Sequence, residues 1–176
     1  MRDRLEKLDR EALIAWLEDA AKLWLAHDGL WFQAVEAKRG MAEAMEHDAA
    51  AWSRFSPIEA RRIMQRLGLE PGGGIPALVT CLEHRLYAIL NAQRVVEQSD
   101  THCVFEMSSC RVQEARRRRG LPDFPCKEVG IVEYETFART VDPRLKVSCL
   151  GCPPDPHPAE WYCRWEFRLE QEQDQE

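Results

Sequence analysis

The sequence lacks any long apolar run. Its longest stretch without a charged residue, residues 71–82, has twelve residues and includes three consecutive glycines, whereas a membrane-spanning helix needs about 20 apolar residues. The start of the chain, Met1-Arg2-Asp3-Arg4, also lacks the apolar stretch of a secretory signal. We therefore expect a cytoplasmic protein with no membrane partner.

The sequence is also short of positive charge. It has 24 Lys and Arg residues against 30 Asp and Glu residues, a net charge of −6, whereas a nucleic-acid binder usually has a dominant basic face. There is no nucleophile-elbow serine, phosphate-binding glycine loop or paired-histidine zinc motif. We therefore do not expect a nucleic-acid partner, and the common catalytic motifs assign no activity.

The sequence does contain many cysteines, seven in all. An odd number in a chain without a leader does not form a complete set of disulfides, so metal binding, catalysis and core packing remain as roles. Six of the seven lie in the second half: Cys103, Cys110, Cys126, Cys149, Cys152 and Cys163.

The first hundred residues are predicted to be helical, because apolar residues recur every three or four positions. One or two helices run from about residue 9 to Gly40, kinked or broken at Gly29, with an apolar stripe that includes Trp16, Leu17 and Trp31. A second helix covers residues 41–55. A capping box with proline, residues 56–59, predicts a third helix that stops at Gly68.

The longest helix is predicted to follow the glycines, from about residue 77 to residue 100. After it the pattern becomes mixed, with strands over 101–108, 144–149 and 161–169 and helices over 111–119 and 132–140. We predict an α+β fold in which a helical part (1–100) packs on a small antiparallel sheet in a cysteine-rich part (101–170). The two parts form one compact domain, and residues 171–176 are an acidic tail.

The strongest chemical pattern is Cys149-Leu150-Gly151-Cys152, with Cys163 on the next strand and Cys126 in the preceding loop. A two-residue gap with glycine before the second cysteine lets both thiolates face one cation. The other two thiolates complete a tetrahedron. We therefore predict a metal site of Cys126, Cys149, Cys152 and Cys163 that holds zinc or an iron–sulfur cluster.

The other cysteines have different expected roles. Cys81 and Cys103 lie on apolar stripes, which favours core packing, and Cys110 is an alternative to any one of the four predicted ligands. The alternative for the four themselves is that they simply pack in the interior.

Two further segments are candidates for ligand binding. In the basic run from Arg111 to Arg119, Arg111 and Gln113 begin a helix and could contact an anionic ligand, although a solvated helix end also explains the run. Near the start of the chain, His27 and Trp31 lie one helical turn apart and could line a pocket, or His27 could be an ordinary interior polar group.

Several blocks of sequence resemble a family of uncharacterised bacterial cytosolic proteins. They are "HDGLWFQAVE", "CRVQEARRRRGLPDFPCKEVG", "DPRLKVSCLGCPPD" and "WYCRWEF". The cysteine-rich end is more distantly similar to the vinyl-reductase-type (V4R) ligand-binding domain and to the L-2-amino-thiazoline-4-carboxylic acid hydrolase-like family. That resemblance implies an α+β ligand-binding domain with a metal bound by Cys149, Cys152 and Cys163.

Three hypotheses about function follow. The first is a metal-binding protein that also holds a small anionic molecule between its helical and cysteine-rich parts. The second is a hydrolase of a cyclic amide or thiazoline carboxylate that uses a cysteine or a metal-bound water. The third is an interaction module with structural cysteines. The oligomeric state is not predicted.

Overall fold

The computed structural model describes residues 2–170, so the predicted acidic tail lies outside the described residues. Its elements are α1 (Arg2–Leu5), α2 (Arg10–Arg39), α3 (Met41–Leu67), α4 (Gly74–Glu83), α5 (Leu86–Leu90), β1 (Gln93–Gln98), β2 (His102–Met107), α6 (Arg111–Arg118), α7 (Lys127–Val141), β3 (Leu145–Gly151) and β4 (Cys163–Leu169). The predicted α+β class is confirmed. Within the described residues, no helix combines the length and the apolar character needed to cross a membrane.

The two long N-terminal helices are continuous where breaks were predicted. Gly29 lies inside α2, so the single-helix alternative holds for that segment, and Pro57 lies inside α3, so the predicted boundary between two helices at residues 55–56 is wrong. An interior glycine costs only about 1 kcal/mol relative to alanine, and the packing of α2 on α3 outweighs this cost. The predicted stop of α3 at Gly68 is confirmed, since Gly68 is left-handed (φ 67°) and its N–H donates to the Met64 carbonyl.

The predicted long helix over residues 77–100 is wrong. The chain instead forms α4 and the short α5, and then turns into β1. Arg85, between the two helices, has an extended backbone, and its buried guanidinium is held by Glu59 and Glu133. Tertiary ion pairing therefore overrides the local helical pattern.

The sheet has four antiparallel strands in the order β1-β2-β4-β3. The first two strands pair across residue 100, so a hairpin joins the predicted helical and cysteine-rich parts. On the inner face, Phe105 of β2 pairs with Trp165 of β4. The outer face is charged, with Arg94 and Arg164 both bonded to the buried Glu106.

Two apolar clusters form the interior. The larger one packs the inner face of the sheet against α3, α4 and α7. The smaller one contains Trp52, Phe124 and Val129, with Trp24 and Phe32 of α2 packed against them. The helix predicted over residues 132–140 begins earlier, at Lys127, so its N-cap position falls on Cys126.

Candidate functional site

A cavity of about 560 Å³ lies between the helices and the inner face of the sheet. Leu25, Trp52, Tyr87 and Trp165 supply much of its apolar wall. Gly130 lets the indole of Trp165 lie close to α7, because a β-carbon at Gly130 would be only 2.7 Å from that ring. A cavity of this size, mainly apolar and with a few polar groups, is typical of a small-molecule site.

The four predicted metal ligands meet at one wall of this cavity. The Cys126 and Cys152 sulfurs are 3.4 Å apart, and the Cys149 and Cys163 thiols lie close enough to Cys152 to raise the pKa of its thiol. Cys126, Cys152 and Cys163 line the cavity. Three separate segments therefore bring four thiols together, with Cys152 at the centre of the group.

Backbone contacts hold these segments together. The Lys127 N–H donates to the Pro153 carbonyl at 2.9 Å, which joins the start of α7 to the loop after Cys152. The Lys127 ammonium also pairs with Asp155 at 2.7 Å. A single lysine therefore connects the proline-rich loop to the α7 end of the site.

The thiols differ in acidity. The pKa of Cys149 is lowered to about 7, because the Cys152 thiol and the Gly151 N–H donate to its sulfur and Lys127 lies nearby. The pKa of Cys152 is raised well above its usual range, since its proton is shared with Cys126, Cys149 and Cys163 and the side chain is buried. Of the pair, Cys149 is the more readily ionised.

The sulfurs pack against one another rather than around an open centre. Among residues 2–170, no group of three or more His, Cys, Asp or Glu side chains is arranged to hold a metal ion. In a zinc tetrahedron with Zn–S bonds of about 2.3 Å, neighbouring sulfurs lie about 3.8 Å apart. The 3.4 Å contact between Cys126 and Cys152 is a few tenths of an ångström shorter than that.

Two of the three remaining cysteines have the role that was predicted for them. Cys81 and Cys103 are fully buried in the larger apolar cluster, which confirms core packing. Cys110 precedes α6 and lines the cavity. Burial raises the pKa of Cys110 to about 12, against the opposing effect of backbone N–H donors from α6.

Carboxylates form a second polar feature of the cavity, through Asp28, Asp48 and Glu133. Burial raises the pKa of Asp48 to about 7, with the charges of Asp28 and Glu133 adding to the effect and a hydrogen bond from Trp52 opposing it. Burial also raises the pKa of Glu133, despite its ion pair with Arg85. This part of the wall favours a cationic or hydrogen-bond-donating group.

The basic helix α6 (predicted over residues 111–119) lines the cavity from the other side. Arg111 is exposed at its start. Gln113 is buried, and its side-chain amide makes two 2.8 Å hydrogen bonds with the backbone of Phe124 and a 3.5 Å contact with the Cys126 sulfur. Gln113 therefore supports the loop that carries Cys126.

The interpretation of the basic run as a solvated helix end is wrong for Arg116, because its side chain is only 4% exposed. Its guanidinium makes a bidentate ion pair with Glu36 of α2, at 2.8 and 2.9 Å. This partly buried pair joins α6 to α2 beside the cavity.

Comparison with known proteins identifies the family of the chain. A family model described as a family of unknown function (DUF6125) matches residues 6–169, nearly the whole chain. The chain belongs to the DUF6125 family. No curated protein and no solved structure matches it. The predicted resemblance to an uncharacterised family is thereby confirmed at that level, while the V4R and hydrolase resemblances stay predictions.

Two predicted ligand-binding residues of this DUF6125 chain lie on the surface. His27 and Trp31 are exposed on α2, whereas their neighbours Asp28 and Phe32 line the cavity. The predicted segment therefore reaches the cavity through the adjacent face of the same helix.

Sequence reasoning missed Asp48, Glu133 and Tyr87 of the DUF6125 cavity. For Asp48 a signal was present, because Ala44, Asp48 and Trp52 are spaced four residues apart and share one helix face. Ala44 and Trp52 are buried, so the face that holds this carboxylate turns inward.

Proposed function

We propose that this DUF6125 protein binds a small molecule in the cavity and holds one metal ion, of the zinc class, through Cys126, Cys149, Cys152 and Cys163. The observation that carries the proposal is the meeting of these four thiols at the cavity wall. Four thiolates are a typical ligand set for structural zinc. The ion would replace the thiol protons and increase the spacing of the sulfurs slightly.

The close spacing favours a single ion over an iron–sulfur cluster. In a [4Fe–4S] cluster each cysteine binds a different iron atom, and in a [2Fe–2S] cluster two cysteines bind each iron, so four cysteine sulfurs span a wider centre than they do around one ion. The 3.4 Å contact between Cys126 and Cys152 needs only a small expansion to reach a zinc tetrahedron. Lys127, which lies near Cys149 and Cys152, would partly offset the negative charge of four thiolates around a divalent ion.

The cavity groups suggest the chemistry of the small molecule. Within residues 2–170, the buried indole nitrogen of Trp165 has no hydrogen-bond partner, and a carbonyl or carboxylate oxygen of a ligand would satisfy it. At the α6 side of the cavity Arg111 would pair with an acidic group of the ligand, and on the opposite wall Asp48 would accept from a hydrogen-bond donor of the ligand. The proposed ligand is therefore a small molecule that carries an acidic group and a hydrogen-bond donor.

The metal claim is tested with the full chain, purified under reducing and anaerobic conditions. Elemental analysis should find about one equivalent of zinc per chain, and Co²⁺ should produce the strong visible absorption of a tetrahedral thiolate site. Cys152→Ser should lose most of the bound metal, because it removes the central sulfur.

Cys81→Ala is the matched control, since Cys81 is a fully buried cysteine of α4 that lies outside the proposed ligand set, and it should keep the wild-type stoichiometry. Wild-type protein that neither contains nor takes up a metal equivalent would contradict the proposal. Equal metal binding by Cys152→Ser would contradict the assigned ligand set.

A further inference from the structure

Helix α2 has a second apolar face that the fold leaves uncovered. The helix buries Ala21 and Leu25 against its own fold. Large apolar side chains lie exposed elsewhere on α2: Trp16 (64%), Leu17 (59%), Leu23 (70%), Leu30 (61%) and Trp31 (63%). The sequence pattern predicted that Trp16, Leu17 and Trp31 belong to a core-facing stripe, and the structure corrects this. A contiguous exposed apolar patch of this kind marks an interaction site.

The spacing on this face is that of a coiled coil. Residues at alternating intervals of three and four form a line that we call the α2 seam: Leu13, Trp16, Ala20, Leu23, His27, Leu30, Ala34 and Ala37. Apart from the half-buried Leu13, these residues are exposed. A repeat of this kind, continued over more than three heptads, is the arrangement by which one helix packs along another.

We propose that the α2 seam is the interface of an antiparallel homodimer. Antiparallel pairing places Leu13 opposite Ala37, Trp16 opposite Ala34, Ala20 opposite Leu30 and Leu23 opposite His27 of the second copy. Each of the first three layers then joins a large side chain to alanine. Parallel pairing would instead place Trp16 opposite Trp16 and Ala20 opposite Ala20. The first layer would then hold too much side-chain volume and the second too little.

Charge and area support a second copy as the occupant. Closing the seam would bury on the order of 700 Å² of side chain on each copy, close to the roughly 800 Å² per partner of a stable interface. Helix α2 has no excess of basic residues, unlike a helix that lies on a membrane surface.

The test is the molar mass of the full chain in solution, measured by sedimentation equilibrium at micromolar concentrations. The wild-type protein should have twice the 20.4 kDa mass of one chain. Leu23→Glu should shift it to the monomer, with its helix content by circular dichroism unchanged because Leu23 is exposed in the single chain. Ile131→Glu, at an exposed apolar position on α7, is the control and should remain dimeric.

A monomeric wild-type protein, including one that binds lipid vesicles as a monomer, would overturn the proposal. A dimer that persists in folded Leu23→Glu would also overturn it, because the interface would lie elsewhere.

Mixing two variants tests the orientation. Leu23→Glu and His27→Lys should each weaken the homodimer, but an equimolar mixture should recover a dimer. The reason is that the carboxylate introduced at position 23 of one chain faces the ammonium introduced at position 27 of the other only in the antiparallel register. If both variants are monomeric alone and remain so when mixed, the antiparallel register is wrong.

Discussion

Asp48 connects the fold to the cavity through its protonation. Its pKa of about 7 lies above the ordinary value of 3.8 mainly because the carboxyl is buried, near Asp28 and Glu133. Folding therefore favours the protonated form, and this contribution is complete below pH 3.8 and is lost as the pH rises to about 7. Asp48→Asn removes the charge and keeps an oxygen that accepts from Trp52. We expect the variant to match the wild type near pH 4 and to be more stable by about 2 kcal/mol at pH 8, about half of the full conversion of this pKa shift because Asp48 is partly exposed to solvent.

Urea unfolding at a series of pH values measures this difference. Glu46→Gln, which replaces an exposed carboxylate on the same helix, should show no comparable rise between pH 4 and pH 8. A stability difference for Asp48→Asn that stays constant with pH, or that falls as pH rises, would contradict the account of this carboxyl group.

At the scale of elements, Arg85 holds together three helical segments. Its guanidinium pairs with Glu59 of α3 at 2.9 Å and with Glu133 of α7 at 2.7 Å, and it lies 4.7 Å from the centre of the Phe137 ring. Replacing Arg85 with methionine leaves two buried carboxylates without their cation, so we expect a loss of about 3–5 kcal/mol in the free energy of unfolding. Chemical denaturation monitored by circular dichroism measures this loss.

Arg139→Met provides the comparison, because Arg139 is an exposed residue of α7 that pairs with Glu135 at 3.6 Å. Its cost should be below about 1 kcal/mol, as for other surface ion pairs. If Arg85→Met costs no more than Arg139→Met, the buried ion pairs do not hold these elements together.

The same arginine shows where sequence reasoning reaches its limit. Local signals predicted the stop of α3 at Gly68 and the strand around Phe105, because these depend on a left-handed glycine and on alternation of apolar residues. The break at Arg85 depends on Glu59 and Glu133, which lie far away along the chain, so no local pattern contains it. Gly29 and Pro57 are local signals for a helix interruption, but both lie inside continuous helices, because helix packing outweighs their local cost.

The candidate site divides in a similar way. The two-residue spacing of Cys149 and Cys152 indicated that both thiols turn to one place, and the structure brings Cys126 and Cys163 to the same place. A ligand position between the helical and cysteine-rich parts was predicted, but the walls of the cavity could not be, because they come from helices far apart in sequence. The exposure of His27 and Trp31 depends on which face of α2 meets the fold, and that face changes with a small rotation of the helix.

At the scale of the whole molecule, the thiols and the cavity lie where the helical part meets the sheet. The loop from Cys152 to Cys163 carries four prolines, which cannot donate backbone hydrogen bonds. A metal ion at Cys126, Cys149, Cys152 and Cys163 would join this loop to α7 and to both strands that flank it. The proposed ion therefore links structural order in the loop to the shape of the cavity wall.

X-ray absorption spectroscopy of the purified, zinc-loaded protein tests this claim most directly, because it counts and identifies the atoms bound to the ion. We predict four sulfur neighbours at about 2.3 Å, as in a tetrahedral thiolate site. A shell of nitrogen or oxygen atoms, or zinc that washes away before measurement, would contradict the four-thiolate site.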